Sequence, residues 1–285
     1  MSPTEGEPGI KASIRFLRND NLYDTVKTYN LEFRSDEIPN SNAVPDRIDN
    51  VLVKNIRGHE QEFTFDQNGF AVLEMQTSLS YDDFADNSKI QHVYCQEVAA
   101  CLLKYTGAAT VQVFDVQIRR RHPDFPFPEV NFDITNQPAL QAHIDASPEA
   151  VTGLIRSLNE PEKADQLIKG RFIYLNVWKP LKGPVREWPL AVCDASSVDP
   201  SDLRKHDTVF DPSTARENLM VHFNANQRWH YLSEQLPSEL WVFRQWDSSG
   251  KPGVPHVSFE LPRQANDPPG EPRESIEVRA LLFFD

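Results

Sequence analysis

Residues 273–284 constrain the fold most, because Ile276, Val278, Ala280 and Leu282 alternate there with Arg273, Ser275, Glu277 and Arg279. A period of two marks a strand with one apolar and one polar face. Two placements satisfy it. Either the strand is an exposed edge whose charges discourage pairing with other chains, or its polar row lines the cavity of a small barrel or jelly roll. Arg273 and Ser275 suit a cavity: a planar guanidinium forks onto a carboxylate while a hydroxyl donates to the same anion. That chemistry fits the distal carboxylate of 2-oxoglutarate. Arg279 is the rival, about 20 Å further along an extended strand, so both cannot grip one small dicarboxylate. The expectation is that Arg273 is the anchor and that Arg279 serves a network with Glu277 or another acid.

In an extended strand, His143-Ile144-Asp145 turns an imidazole and a carboxylate to one face. His256, in the stretch Val254-Pro255-His256-Val257-Ser258-Phe259, is well placed to add a second imidazole from a neighbouring strand. Two histidines and one carboxylate form a facial triad for Fe(II), leaving three positions for a chelating cosubstrate and dioxygen. An H-x-D tripeptide is common by chance, and this chain carries a second, His122-Pro123-Asp124. The prolines around that copy deny ladder hydrogen bonds, so it is read as a loop. His222 and His230 have no carboxylate two residues on and are read as structural or surface residues.

Organisation along the 285 residues is that of one domain, 1–285, with residues 1–60 as an N-terminal annex and 61–285 as a jelly-roll core with supporting helices. Strands are expected at 10–16, 31–33, 69–73, 110–118, 172–178, 190–193 and 240–246. Helices are expected at 88–105, closed by Gly107, and at 148–158, capped by Ser147. Residues 35–47 and the polar stretch 199–218 read as loops, the latter over the barrel mouth. Within 172–178, Tyr174 and Asn176 share a face and can donate to a cosubstrate carboxylate. The alternative for both is to satisfy buried backbone groups. Trp229, Tyr231, Trp241 and Trp246 supply core and pocket wall.

Composition narrows the partners. A net charge of −13 repels phosphate backbones, which argues against nucleic acid. Three cysteines without regular spacing suit a reducing compartment. The absence of a long apolar run and of a signal-peptide pattern points to a cytoplasmic protein with no membrane attachment.

The succession His143-x-Asp145, Asn176-Val177-Trp178-Lys179-Pro180-Leu181, Trp188-Pro189-Leu190-Ala191-Val192-Cys193-Asp194, Trp229-x-Tyr231, His256 and Pro272-Arg273-Glu274-Ser275-Ile276-Glu277-Val278-Arg279-Ala280 resembles the fungal hydroxylase/desaturase family of specialised-metabolite gene clusters. That family includes a gibberellin desaturase and relatives of the cephem methoxylase accessory chain. The resemblance runs from about Gly69 to the C-terminus. It implies a non-haem Fe(II)- and 2-oxoglutarate-dependent oxygenase on a double-stranded β-helix, acting on a small molecule with dioxygen as oxidant. It also implies His143, Asp145 and His256 as iron ligands and an arginine of the terminal strand on 2-oxoglutarate. Two other classes share these features: a redox-neutral metal-dependent lyase or isomerase, which needs no Arg273 anchor, and a non-catalytic 2-oxoglutarate-binding jelly-roll module. The sequence leaves the substrate and the oligomeric state open.

Overall fold

The computed structural model describes residues 9–128, 131–262 and 271–285. Its early strands are β1 (Ile10–Leu17), β2 (Thr28–Leu31), β3 (Pro45–Asn55), β4 (Phe70–Glu74) and β5 (Thr110–Arg120). The middle of the chain gives β6 (His143–Ile144), β7 (Phe172–Pro180), β8 (Leu190–Cys193), β9 (Leu203–Asp211) and β10 (Thr214–Val221). The last four are β11 (Trp229–Tyr231), β12 (Glu239–Asp247), β13 (His256–Ser258) and β14 (Glu274–Phe283). They form a five-stranded sheet in the order β4-β12-β7-β14-β5 and a nine-stranded sheet in the order β1-β3-β11-β8-β13-β6-β10-β9-β2. The fold is the expected one, mainly β with a jelly-roll core and a few flanking helices.

Alternation along β7 decides which side of the smaller sheet does what. Ile173, Leu175 and Val177 pack with Tyr94, Val98 and Leu102 of a covering helix. Trp178 and Tyr174 point the other way, into separate clusters. The helix itself runs from Asn87 through a π-helical turn, Ile90–Tyr94, to Cys95–Thr106. Asp86 caps its start by accepting from the Ser88 and Lys89 N–H groups. Gly107, at φ +68°, closes it in the left-handed conformation that favours glycine. The helix Pro148–Leu158 begins at Ser147, whose Oγ accepts from the Ala150 N–H at 3.2 Å.

The larger sheet curls back on itself. Ala142 N–H donates to Arg15 O at 2.9 Å, and Leu17 bridges to His222, so β1 meets the strands around β6 and β10 as well as β3. Ile14, Phe16, Val53, Trp229, Val257 and Phe259 fill the space so enclosed. This second core lies behind β8, β13 and β6.

Several expectations are corrected. Residues 199–218 are largely the β9–β10 hairpin, with Ala215 facing Val209 and Val221 facing Leu203. These strands lie toward one end of their sheet and carry polar side chains on both faces, so no apolar alternation announced them. Strand β2 starts earlier than 31–33, and β3 occupies 45–55, where a loop and then nothing was foreseen. The helix Pro161–Lys169 was also not foreseen. Strand β14 is an inner strand between β7 and β5, which removes the exposed-edge reading of residues 273–284.

Candidate metal centre

Strand β6 is short but held on both sides, by β13 through the His143–His256 pair and by β10 through Met220 and Leu219. With Ala142 and Ile144 fully buried, the strand phase turns His143 and Asp145 to the opposite face. His256 arrives directly across from His143, their ring centroids 4.3 Å apart. The chain reaches that position through Gly253, where a Cβ would come within 2.3 Å of Gln245 O.

His143 Nε2, Asp145 Oδ1 and His256 Nε2 converge. The first lies 3.2 Å from Asp145 Oδ1 and the last 3.7 Å from it, and all three ligand atoms fall within 4.8 Å of one another. Neighbouring ligands at about 2.1 Å from one metal stand about 3 Å apart, so the two edges that meet at Asp145 Oδ1 are close to those of an octahedral face, while the edge between the two imidazoles is within 4.8 Å. The imidazoles are also in the required tautomer: Nδ1 of His143 donates to Gln141 O at 2.7 Å and Nδ1 of His256 to Val254 O at 3.2 Å. Each Nε2 therefore presents a lone pair. Burial, helped by His143, pushes the His256 imidazolium down to about 3, so the ring is neutral. The donor set fits Fe(II).

Asp145 is tied from behind. Its Oδ2 accepts from Arg279 Nε and Asn176 Nδ2, each at 2.8 Å, and its backbone N–H donates to Gln245 Oε1 at 2.7 Å. Burial opposes ionisation, but the Arg279 guanidinium beside it holds the carboxyl well below the usual range. Arg279 also meets Asp115 at 2.8 Å and Glu277 at 2.5 Å.

Arg273 has different surroundings. It is 4 % exposed, stands 5.4 Å over the Trp178 ring, and donates from Nη1 to Trp188 O at 2.5 Å and Ser258 Oγ at 2.7 Å. No carboxylate forms an ion pair with it among the described residues, its Nε has no partner, and neither has the buried Ser275 Oγ. Burial, with Arg119 nearby, works against its charge. A buried guanidinium and a hydroxyl, both with donors to spare, form a ready anion site. Ser258 follows His256 by two positions on β13, so the site lies about 7 Å from the imidazole along the same strand face.

The expected residues therefore fall into four sets, with Tyr174 alone in the last. His143, Asp145 and His256 converge; Arg273 and Ser275 adjoin them; Arg279 and Asn176 are engaged on Asp145. Tyr174 packs edge-on against Phe114 at 5.3 Å, within the cluster under the helix Pro148–Leu158. His122 and Asp124 stay in a turn, 3.8 Å apart and with Asp124 exposed. His222 and His230 are buried away from the triad, His222 on Leu17 O and His230 against Phe63 and Phe70. Sequence reasoning missed Gln245, Ser258 and Glu187. Period two on β13 would have flagged Ser258; nothing local marks the others.

Comparisons with known proteins agree with this geometry. A family described as "YDMC: Oxidoreductase/YMDC permease-like domain" matches residues 14–283. The Fe(II)/2-oxoglutarate-dependent dioxygenase nvfI of Aspergillus novofumigatus is 31 % identical over 239 residues, 82 % of either chain. The hydroxylase/desaturase CTB9 of Cercospora beticola is 33 % identical over 262 residues, 82 % of this chain and 76 % of its own. A solved structure of the iron and alpha-ketoglutarate-dependent endoperoxidase NvfI superposes with a TM-score of 0.84 at 27 % identity, covering 98 % of this chain and 99 % of that one. With its triad set on a jelly roll, the chain belongs to the family of Fe(II)/2-oxoglutarate-dependent dioxygenases and hydroxylase/desaturases of fungal secondary metabolism.

Proposed function

We propose that this oxygenase hydroxylates or desaturates a small-molecule intermediate of fungal specialised metabolism, with His143, Asp145 and His256 as its iron ligands. The observation that carries the assignment is the convergence of two Nε2 lone pairs and Asp145 Oδ1 on one face. Bound Fe(II), with 2-oxoglutarate and dioxygen, supplies an oxidant for an unactivated C–H bond while 2-oxoglutarate leaves as succinate and CO2.

The residues around it bind, orient and exclude water. Arg279 and Asn176 fix the Asp145 carboxylate so that Oδ1 faces the metal position. Arg273 and Ser275 receive the distal carboxylate of 2-oxoglutarate, with Ser258 and the Trp188 carbonyl setting the guanidinium plane. Phe243, whose ring lies 4.8 Å from that of His256, keeps one flank apolar. Because Arg279 is already bound to three acids, Arg273 is the better anchor.

What supports reading residues 1–285 as one oxygenase domain is that β1 and β3 belong to the sheet that carries β6 and β13, which joins the stretch 9–60 to the core instead of leaving it a separate annex. A cytoplasmic site of action agrees with three free thiols and an acidic surface. No helix among the described residues is long and apolar enough to cross a membrane. Family membership disfavours the redox-neutral and purely binding readings. Anaerobic titration with Fe(II) and then 2-oxoglutarate tests the assignment: a visible charge-transfer band from the chelated keto acid is expected. Its absence at saturating 2-oxoglutarate, with iron bound, would overturn it.

A further inference from the structure

Glu187 lies beside Arg273 without touching its guanidinium. Its Oε1 accepts from the Arg273 backbone N–H at 3.0 Å and from Arg121 Nε at 2.7 Å, while Oε2 accepts from Arg121 Nη2 at 3.2 Å. Arg121 is fastened in turn, since its Nη1 donates to His122 O at 3.1 Å and to Pro123 O and Phe125 O at 3.2 Å. The two side chains are only 11 % and 10 % exposed. The next residue, Trp188, gives its carbonyl to the Arg273 guanidinium. One short segment thus holds the anchor arginine by backbone and side chain alike, and its acid is turned aside.

That arrangement needs a cause. A buried guanidinium and a nearby carboxylate gain a charge-assisted pair when they meet, and such a pair would fill the anion site from within. The fork of Arg121 engages both carboxylate oxygens instead. We propose that Arg121 is a positioning residue that restrains Glu187 and so keeps Arg273 open for the distal carboxylate of 2-oxoglutarate. The inference rests on Arg273 being the anchor.

The test is the apparent Kd for 2-oxoglutarate of the iron-loaded, oxygen-free protein, read from the charge-transfer band and checked by the thermal shift that 2-oxoglutarate produces. Arg121→Ala should weaken 2-oxoglutarate binding about tenfold or more, while Fe(II) affinity stays within about twofold. Adding Glu187→Gln to that variant should restore most of the loss, because the freed side chain no longer carries the competing charge. A merely structural ion pair behaves otherwise: the double variant would be no better than the single one, and that outcome overturns the proposal. Arg121→Lys keeps a cation without the fork and should give a smaller loss in the same direction, and it reads the same quantity if Arg121→Ala does not fold. Unchanged affinity in Arg121→Lys and Arg121→Ala overturns the proposal too. Arg273→Lys separates the two ideas. If it leaves 2-oxoglutarate binding intact, the anchor assignment fails and this inference with it; if it weakens binding while both Arg121 variants do not, only the restraint fails.

Discussion

Asp145 divides its work between two oxygens, and the division sets what Arg279 does. With Oδ1 toward the imidazoles and Oδ2 toward Arg279 and Asn176, the carboxylate cannot rotate without breaking two hydrogen bonds. Groups that orient metal ligands typically contribute 10- to 100-fold in metal affinity. Arg279→Gln should therefore weaken Fe(II) binding by roughly 10- to 100-fold in an anaerobic titration. Its 2-oxoglutarate affinity at saturating iron should change little; a large loss there instead would make Arg279 the anchor. His143 and Asp145 were legible in the sequence as a pair because strand geometry makes positions i and i+2 share a face, and His256 as a histidine on a later stretch placed to join them. Glu187 and Gln245 were not, since each acts on a residue far along the chain, Arg273 or Asp145, through contacts that only the folded sheets create.

Strand β7 shows what one element must reconcile. Its covered face buries Ile173, Leu175 and Val177, and the same face carries Lys179, 2 % exposed, with Nζ 5.0 Å from the Phe84 ring centroid and 5.1 Å from that of Tyr94. Burial pushes this ammonium down to about 8 from an ordinary 10.5. Between those values the unfolded chain binds more protons than the folded one, so stability rises with pH across about 8 to 10.5 and the full cost is present below 8. At 1.36 kcal/mol per pH unit the cost is about 3 kcal/mol at most, before the contacts with the two rings offset part of it. Lys179→Met should accordingly raise the stability measured by urea unfolding at pH 7 and flatten its rise above pH 8. An unchanged slope would show that Lys179 is not the group responsible. The other face of β7, with Trp178, Asn176 and Tyr174, was legible from alternation. The β9–β10 hairpin and β3 were not: the hairpin is polar on both faces, and in β3 the regular phase is broken near Asn50, at φ +62°, where its pairing with β1 shifts register.

At the scale of the whole molecule, the metal strands form a wall between two interiors, the cavity on one side and the core around Phe16, Trp229 and Val257 on the other. Phe16 is fully buried, 5.3 Å from the Phe223 ring and 5.8 Å from that of Trp229. Phe16→Ala should cost about 3–5 kcal/mol in denaturant unfolding. It should also loosen the iron site, because the neighbouring Arg15 carbonyl holds Ala142, next to His143; a loss of stability with Fe(II) affinity intact would separate the two interiors. Residues 9–60 gave no sign in the sequence that they back the metal wall, since a parallel bridge between β1 and the β6 region leaves no local pattern. Strand periodicity left a small barrel and a jelly roll open, and the family resemblance implied the jelly roll. Strand β14 carries one further consequence. The last strand in the chain sits inside its sheet, flanked by β7 and β5, and brings Ser275 and Arg279. During synthesis β7 and β5 must wait with a gap between them, and the Arg279 half of the brace on Asp145 and the Ser275 side of the anion site are missing until residues 274–283 have left the ribosome and slotted in. A chain halted before residue 274 would keep a split sheet with the facing edges of β7 and β5 exposed, a substrate for chaperones and proteases.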